Sequence, residues 1–211
     1  MRVKAVFLFL ILVIAGTSQA AILDQSQEQM SSTSFVISPD WSIAQTFTAG
    51  LSGQLEQVDL YLKNYFDPDL YPSTVSIVNT IDGVPSGSVL GTIYADTLIE
   101  GWNSIDFLCE DVLLVSGIQY GIVLNNDDPE HHAGPSTQWG AIDSDVYAGG
   151  APWSYTDGEW TQEVTAPGGG LVETFYDNEA AFRTWMVPEP ATLLLVGIGA
   201  VILRKTSKKN E

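Results

Sequence analysis

Between residues 35 and 187, apolar side chains recur at every second position in short bursts, broken by Gly, Pro, Asn and Asp. Val58, Leu60 and Leu62 alternate with Asp59, Tyr61 and Lys63, and Tyr120, Ile122 and Leu124 repeat the arrangement. A period of two gives an extended strand one dry face and one wet face. The pattern predicts strands at 35–37, 43–48, 55–62, 74–80, 89–94, 104–108, 119–124, 137–142 and 182–187. No stretch of useful length has the 3.6-residue period of an amphipathic helix. Asp82-Gly83, Ser86-Gly87 and Gly149-Gly150 mark turns. Short strands at this density point to an all-β fold, an antiparallel β-sandwich of jelly-roll type.

The two ends follow other patterns. Arg2 and Lys4 precede an apolar run at 5–15, and Ser18-Gln19-Ala20 offers small residues before a cut. This is the layout of a secretory signal peptide cleaved after Ala20. At the other end, Pro188-Glu189-Pro190 precedes an apolar run of 13 residues, 191–203, and then Arg204, Lys205, Lys208 and Lys209. As a helix that run would reach about 20 Å, against a bilayer core of about 30 Å. It is short for a permanent span, and Gly197 and Gly199 weaken it further. The basic residues would stay on the cytoplasmic side. Such a segment can hold a chain in the membrane while an enzyme acts on the sequence before it, as in GPI signals. The expected organisation is a signal peptide over 1–20, a β-sandwich ectodomain over 21–187 and a sorting or anchor segment over 188–211. A signal helix and a short C-terminal hydrophobic helix would flank the sandwich.

The order Pro188-Glu189-Pro190, apolar run 191–203, then Arg204 and Lys205 resembles the PEP-CTERM sorting signal of exported bacterial proteins. An ordinary C-terminal anchor helix is the alternative. The resemblance implies as partners the export machinery and exosortase, a transpeptidase-like membrane protease. It also implies membrane contact through the C-terminal segment before processing. The destination would be the cell surface or extracellular matrix of a Gram-negative-type bacterium, with extracellular polysaccharide as a further partner. A second, looser resemblance covers most of 43–185. It runs through the segment from Ala44 to Gly50, Val58-Asp-Leu-Tyr-Leu62, Asp82-Gly-Val-Pro-Ser-Gly87, Trp102, the segment from Ser116 to Leu124, Trp139-Gly140, Tyr147-Ala-Gly-Gly150, Asp157-Gly-Glu-Trp160 and Ala181-Phe-Arg-Thr184. These motifs are similar to choice-of-anchor β-sandwich domains, which implies a fold and a surface location rather than a chemistry.

Charge sharpens the picture. The chain has 8 basic and 26 acidic residues. Setting aside the two end segments leaves 24 acidic residues against Lys63 and Arg183 alone, a net of −22. Such a surface repels nucleic acid and anionic lipid and favours divalent cations. Cys109 is the single cysteine, so no internal disulfide forms. In a strand it would share a face with Ile105 and Phe107, which predicts a buried thiol.

Candidate chemistry is sparse. Asp127, Asp128 and Glu130 are hard oxygen donors that suit Ca²⁺, and His131 and His132 follow them. The spacing matches no EF-hand, and a solvated loop after a strand is the plainer explanation of the segment. Asp143, Asp145, Asp157 and Asp177 form a second acidic set of the same standing. Trp139, Tyr147, Trp153, Tyr155 and Trp160 crowd into one stretch. Exposed aromatic faces near carboxylates can hold sugars, making Trp139, Trp153, Tyr155 and Trp160 possible sugar-binding residues, although sandwiches also need aromatic cores. No nucleophile elbow, zinc-protease or phosphate-loop motif is present. The sequence therefore points to a non-enzymatic exported protein without a resident cofactor, the possible Ca²⁺ aside, with a carbohydrate-binding module as the alternative.

Overall fold

The computed structural model describes residues 20–37, 41–64, 72–126, 137–165, 172–174 and 178–189. In chain order the strands are β1 (Ile22–Gln27), β2 (Ser34–Val36), β3 (Ser42–Thr48), β4 (Gly53–Asn64), β5 (Ser73–Asn79), β6 (Val89–Ala95), β7 (Gly101–Asp106), β8 (Leu113–Leu114) and β9 (Gln119–Asn126). They continue as β10 (Thr137–Asp143), β11 (Pro152–Thr156), β12 (Glu159–Thr161), β13 (Glu163–Thr165), β14 (Val172–Thr174), β15 (Asn178–Ala180) and β16 (Phe182–Pro188). The nine predicted segments fall on β2 to β7, β9, β10 and β16, each end within three residues. The predicted signal peptide, its helix and the C-terminal hydrophobic helix lie outside the described residues. Among the described residues no helix is long and apolar enough to cross a membrane.

Two antiparallel sheets form a sandwich. One runs β1-β16-β4-β10-β15, with β2 on β10 and with β7 and β8 on β4; the other runs β12-β11-β3-β9-β5-β6. β13 and β14 pair with each other as a two-stranded sheet. Alternation builds the core between the sheets. Ile43 and Phe47 of β3, Val75 and Ile77 of β5, and Tyr120, Ile122 and Leu124 of β9 point inward from one side. From the other side come Leu55, Val58, Leu60 and Leu62 of β4, Trp139 of β10, and Phe182 and Met186 of β16. Leu55 and Val58 differ by three positions yet both face in. A bulge explains this: Trp185 pairs with Gln57 and Met186 with Leu55, so Glu56 is the extra residue that resets the phase. Phe47 lies between Tyr120 and Phe182, with ring centroids 6.1 and 6.0 Å away.

Cys109 corrects the buried-thiol expectation. Ile105 and Phe107 are buried, but β7 ends at Asp106 and a 3₁₀ turn covers Leu108–Glu110. Asp106 Oδ1 accepts from Leu108 N at 2.8 Å, and Glu110 N donates to Phe107 O at 3.0 Å to close that turn. The strand alternation is lost and Cys109 is exposed.

Candidate functional site

The sorting motif begins inside the fold. β16 is an interior strand, flanked by β1 and β4, and its last residue is Pro188, which is buried and pairs with Gly53. Glu189 N donates to Ser52 O at 3.1 Å. Gly53 is also paired with Leu114 on its other side. A side chain does not fit there: a Cβ on Gly53 would run into the Val187 carbonyl and lie 2.8 Å from Pro188 Cα. The close approach of β16 and β4 at this end thus depends on a glycine. Glu189 itself is exposed. Pro190, Arg204 and Lys205 lie outside the described residues.

The aromatic set divides. Trp139 is 0% exposed, with its ring in the core and its Nε1 donating to Ala181 O at 2.8 Å. It cannot stack on a sugar, and the expectation that it does is corrected: β10 is covered on its inner side by the opposite sheet. Tyr147 packs edge-on against Phe182 at 5.3 Å and donates to Gln25 Oε1 at 2.9 Å. Burial, opposed by a backbone hydrogen bond, holds its phenol above the ordinary range, with Asp24 and Glu179 adding to the rise. Trp153, Tyr155 and Trp160 stay together. β11 alternates buried Pro152 and Ser154 with half-buried Trp153 and exposed Tyr155. Tyr155 is the cross-strand partner of Trp160, and their rings lie 5.2 Å apart. All three therefore share the outer face of the six-stranded sheet at its β11–β12 edge. Trp153 is opposite Ala44 on β3, and Ala44 is buried. The Trp153 Nε1 is enclosed without a hydrogen-bond partner.

The Ca²⁺ candidates Asp127, Asp128 and Glu130, with His131 and His132, lie outside the described residues, as does Asp177. Asp143, Asp145 and Asp157 are exposed. Among the described residues no group of three His, Cys, Asp or Glu side chains is placed to hold a metal.

Two clusters were not legible beforehand. On the outer face of the larger sheet, Asp59 is 4% exposed and accepts from Gln57 Nε2 at 2.6 Å, Ser104 Oγ at 2.8 Å and Trp185 Nε1 at 2.8 Å. Arg183 stands 3.9 Å from the same carboxylate, donates to Glu28 at 2.7 Å and lies 4.0 Å over the Trp102 ring. Tyr61 meets Trp102 edge-on. Alternation marked this as a wet face, but which residues meet depends on the pairing of β7, β4 and β16. The second cluster is inside. Glu179 is 2% exposed, accepts from Gln45 Nε2 at 2.6 Å, and has its carboxyl pushed up to about 8, mainly by burial, with Gln45 opposing and Asp145 adding. Gln45 Oε1 accepts from Ala180 N, so one glutamine ties β3 to β15 across the sandwich. Asp24, whose Oδ1 has no partner, is also raised by burial. Asp59 accepts three side-chain hydrogen bonds and Glu179 is held by Gln45; both read as fastenings of the fold.

No curated protein matches the chain. Residues 187–206 match the family model described as the PEP-CTERM protein-sorting motif. The match starts on the last strand of the sandwich and extends into the basic cluster. The chain thus carries a PEP-CTERM sorting motif at its C-terminal end, which indicates sorting to the cell exterior by an exosortase-type system.

Proposed function

We propose that this protein is a non-enzymatic component of the cell surface or extracellular matrix: an acidic β-sandwich delivered by its C-terminal signal and associated there with extracellular polysaccharide. The observation that carries this reading is the sorting motif at 187–206, joined without a spacer to the end of β16. The bulk of the chain is cargo in this reading. Its polar clusters are fastened internally, and its surface carries dense negative charge that keeps it soluble and repels like-charged neighbours. Exosortase acts at the motif while the run 191–203 holds the precursor in the membrane. Replacing Pro188, Glu189 and Pro190 by alanine should leave unprocessed precursor in the membrane fraction of the producing cell. Processing and location unchanged by that triple substitution would refute the reading.

The second reading, a carbohydrate-binding module, is favoured by the Tyr155–Trp160 pair with Trp153 on one exposed sheet edge. Flat rings on an open face can stack on pyranose rings. Pull-down of the mature protein with the producer's own polysaccharide tests it. Binding should fall at least about tenfold in Trp153→Ala/Tyr155→Ala/Trp160→Ala, the loss expected when about 1.4 kcal/mol of stacking disappears. Full binding in that variant removes this explanation.

A further inference from the structure

The end of the sandwich from which the sorting segment leaves carries a rim of exposed apolar side chains. Ile22 and Leu23, both exposed, pair with Met186 and Trp185 on one side of β16. On its other side Leu113, 66% exposed, pairs with Gln54 of β4. Beyond it Val115 and Ile118, 53% and 49% exposed, flank a turn closed by Ile118 N donating to Val115 O. That turn is fastened to the exit: Ser116 N donates to Ser52 Oγ at 3.0 Å, and Ser52 O accepts from Glu189 N. Exposed Leu108 is held to the same end by Gln54 Nε2 at 3.1 Å.

The apolar run of the sorting segment starts at Ala191, two residues after Glu189. Two fully extended residues reach about 7 Å. A bilayer of 40–45 Å with a core of about 30 Å has a headgroup layer of roughly 5–8 Å on each side. Once the run enters the core, the exit end of the sandwich cannot stand clear of the headgroups. The side chains there meet the boundary between water and acyl chains, where apolar surface gains by leaving water. Asp106, Glu110, Asp111 and Glu189 lie along the same end. They keep the contact shallow and oppose an anionic surface.

We propose that this rim is a membrane-docking face, laid on a zwitterionic lipid surface while the sorting segment is inserted; this rests on the sorting reading. The opposite end of the sandwich, where exposed Ile99 precedes β7, supplies the control. Twelve-residue β4 separates the two ends by about 35 Å.

The test uses the full chain reconstituted in phosphatidylcholine vesicles, with Cys109→Ser and either Ile118→Cys or Ile99→Cys carrying an environment-sensitive fluorophore. Brominated lipid should quench the label at 118 about threefold or more above the label at 99, as expected for shallow interfacial burial. Leu113→Ser/Val115→Ser, both at exposed positions, should reduce quenching at 118, and vesicles rich in phosphatidylglycerol should do the same. Equal quenching at both sites in a chain that resists alkaline carbonate extraction overturns the docking face and leaves the sorting reading intact. A chain extracted from the vesicles by carbonate overturns both. Undiminished quenching on phosphatidylglycerol overturns the choice of a zwitterionic partner.

Discussion

Glu179 lies 2% exposed at the β15 side of the core, and burial lifts its carboxyl from an ordinary 4.5 to about 8. An acid raised in the folded state keeps a proton that the unfolded chain has released. Between about 4.5 and 8 the folded state binds more protons, so stability falls as pH rises through that window. Glu179→Gln keeps the shape and can still accept from Gln45, but it has no charge to bury. It should flatten this part of the pH profile and be more stable than the wild type at pH 8.5 by about 1–3 kcal/mol. Urea denaturation at pH 5, 6.5 and 8.5 checks this; an unchanged slope would show that Glu179 is not its source. Gly53 makes a different demand. Gly53→Ala must push β16 away from β4, since Cβ would meet the Val187 carbonyl. It should destabilise the sandwich by about 1–3 kcal/mol, with faster hydrogen exchange at the Glu189 amide than at amides of β9.

At the scale of elements, β16 serves both fold and signal: it fills the place between β1 and β4, and its last residue opens the sorting motif. Exosortase must bind a motif whose first proline is packed and whose glutamate amide is bonded to Ser52. A Gly-Ser-Gly-Ser insert between Val187 and Pro188 should therefore speed precursor processing by roughly tenfold, the effect of removing one or two terminal backbone hydrogen bonds from the opening step. Pulse-chase immunoblotting measures it, and an unchanged rate would mean that strand-end opening does not limit processing. Strand alternation was strong enough to reveal β3, β4, β5 and β9 directly. It missed β1, β11, β12 and β15, which are short or polar, and β11 starts on a proline. Such strands form because a neighbour already offers a hydrogen-bonding edge, a condition that local sequence does not record.

Across the whole molecule, a net −22 between the two end segments stores self-repulsion in the compact state. Added NaCl should raise Tm steadily as the screening length falls to about 8–10 Å near physiological ionic strength. CaCl₂ at equal ionic strength should give a similar rise, apart from valence effects. Saturation at sub-millimolar Ca²⁺, lost in Asp127→Asn/Asp128→Asn, would instead reveal a specific site.

The sequence by itself determined the strongly alternating strands β3, β4, β5 and β9, the acidity of the ectodomain and the sorting signal at its end. These properties depend on residues close together or on plain counting. The jelly-roll expectation rested on strand number alone, because a period of two carries no strand order. Only the tertiary structure decided that Trp139 is enclosed while Tyr155 stays open, although both sit on strands in the same aromatic stretch. It also decided that Cys109 leaves its alternation, that Asp59 gathers donors from β4, β7 and β16, and that Pro188 is packed rather than free. Burial and pairing are set by what covers a residue from elsewhere in the chain. Thr184 and Gln25, 159 positions apart, share a hydrogen bond that neither local pattern contains.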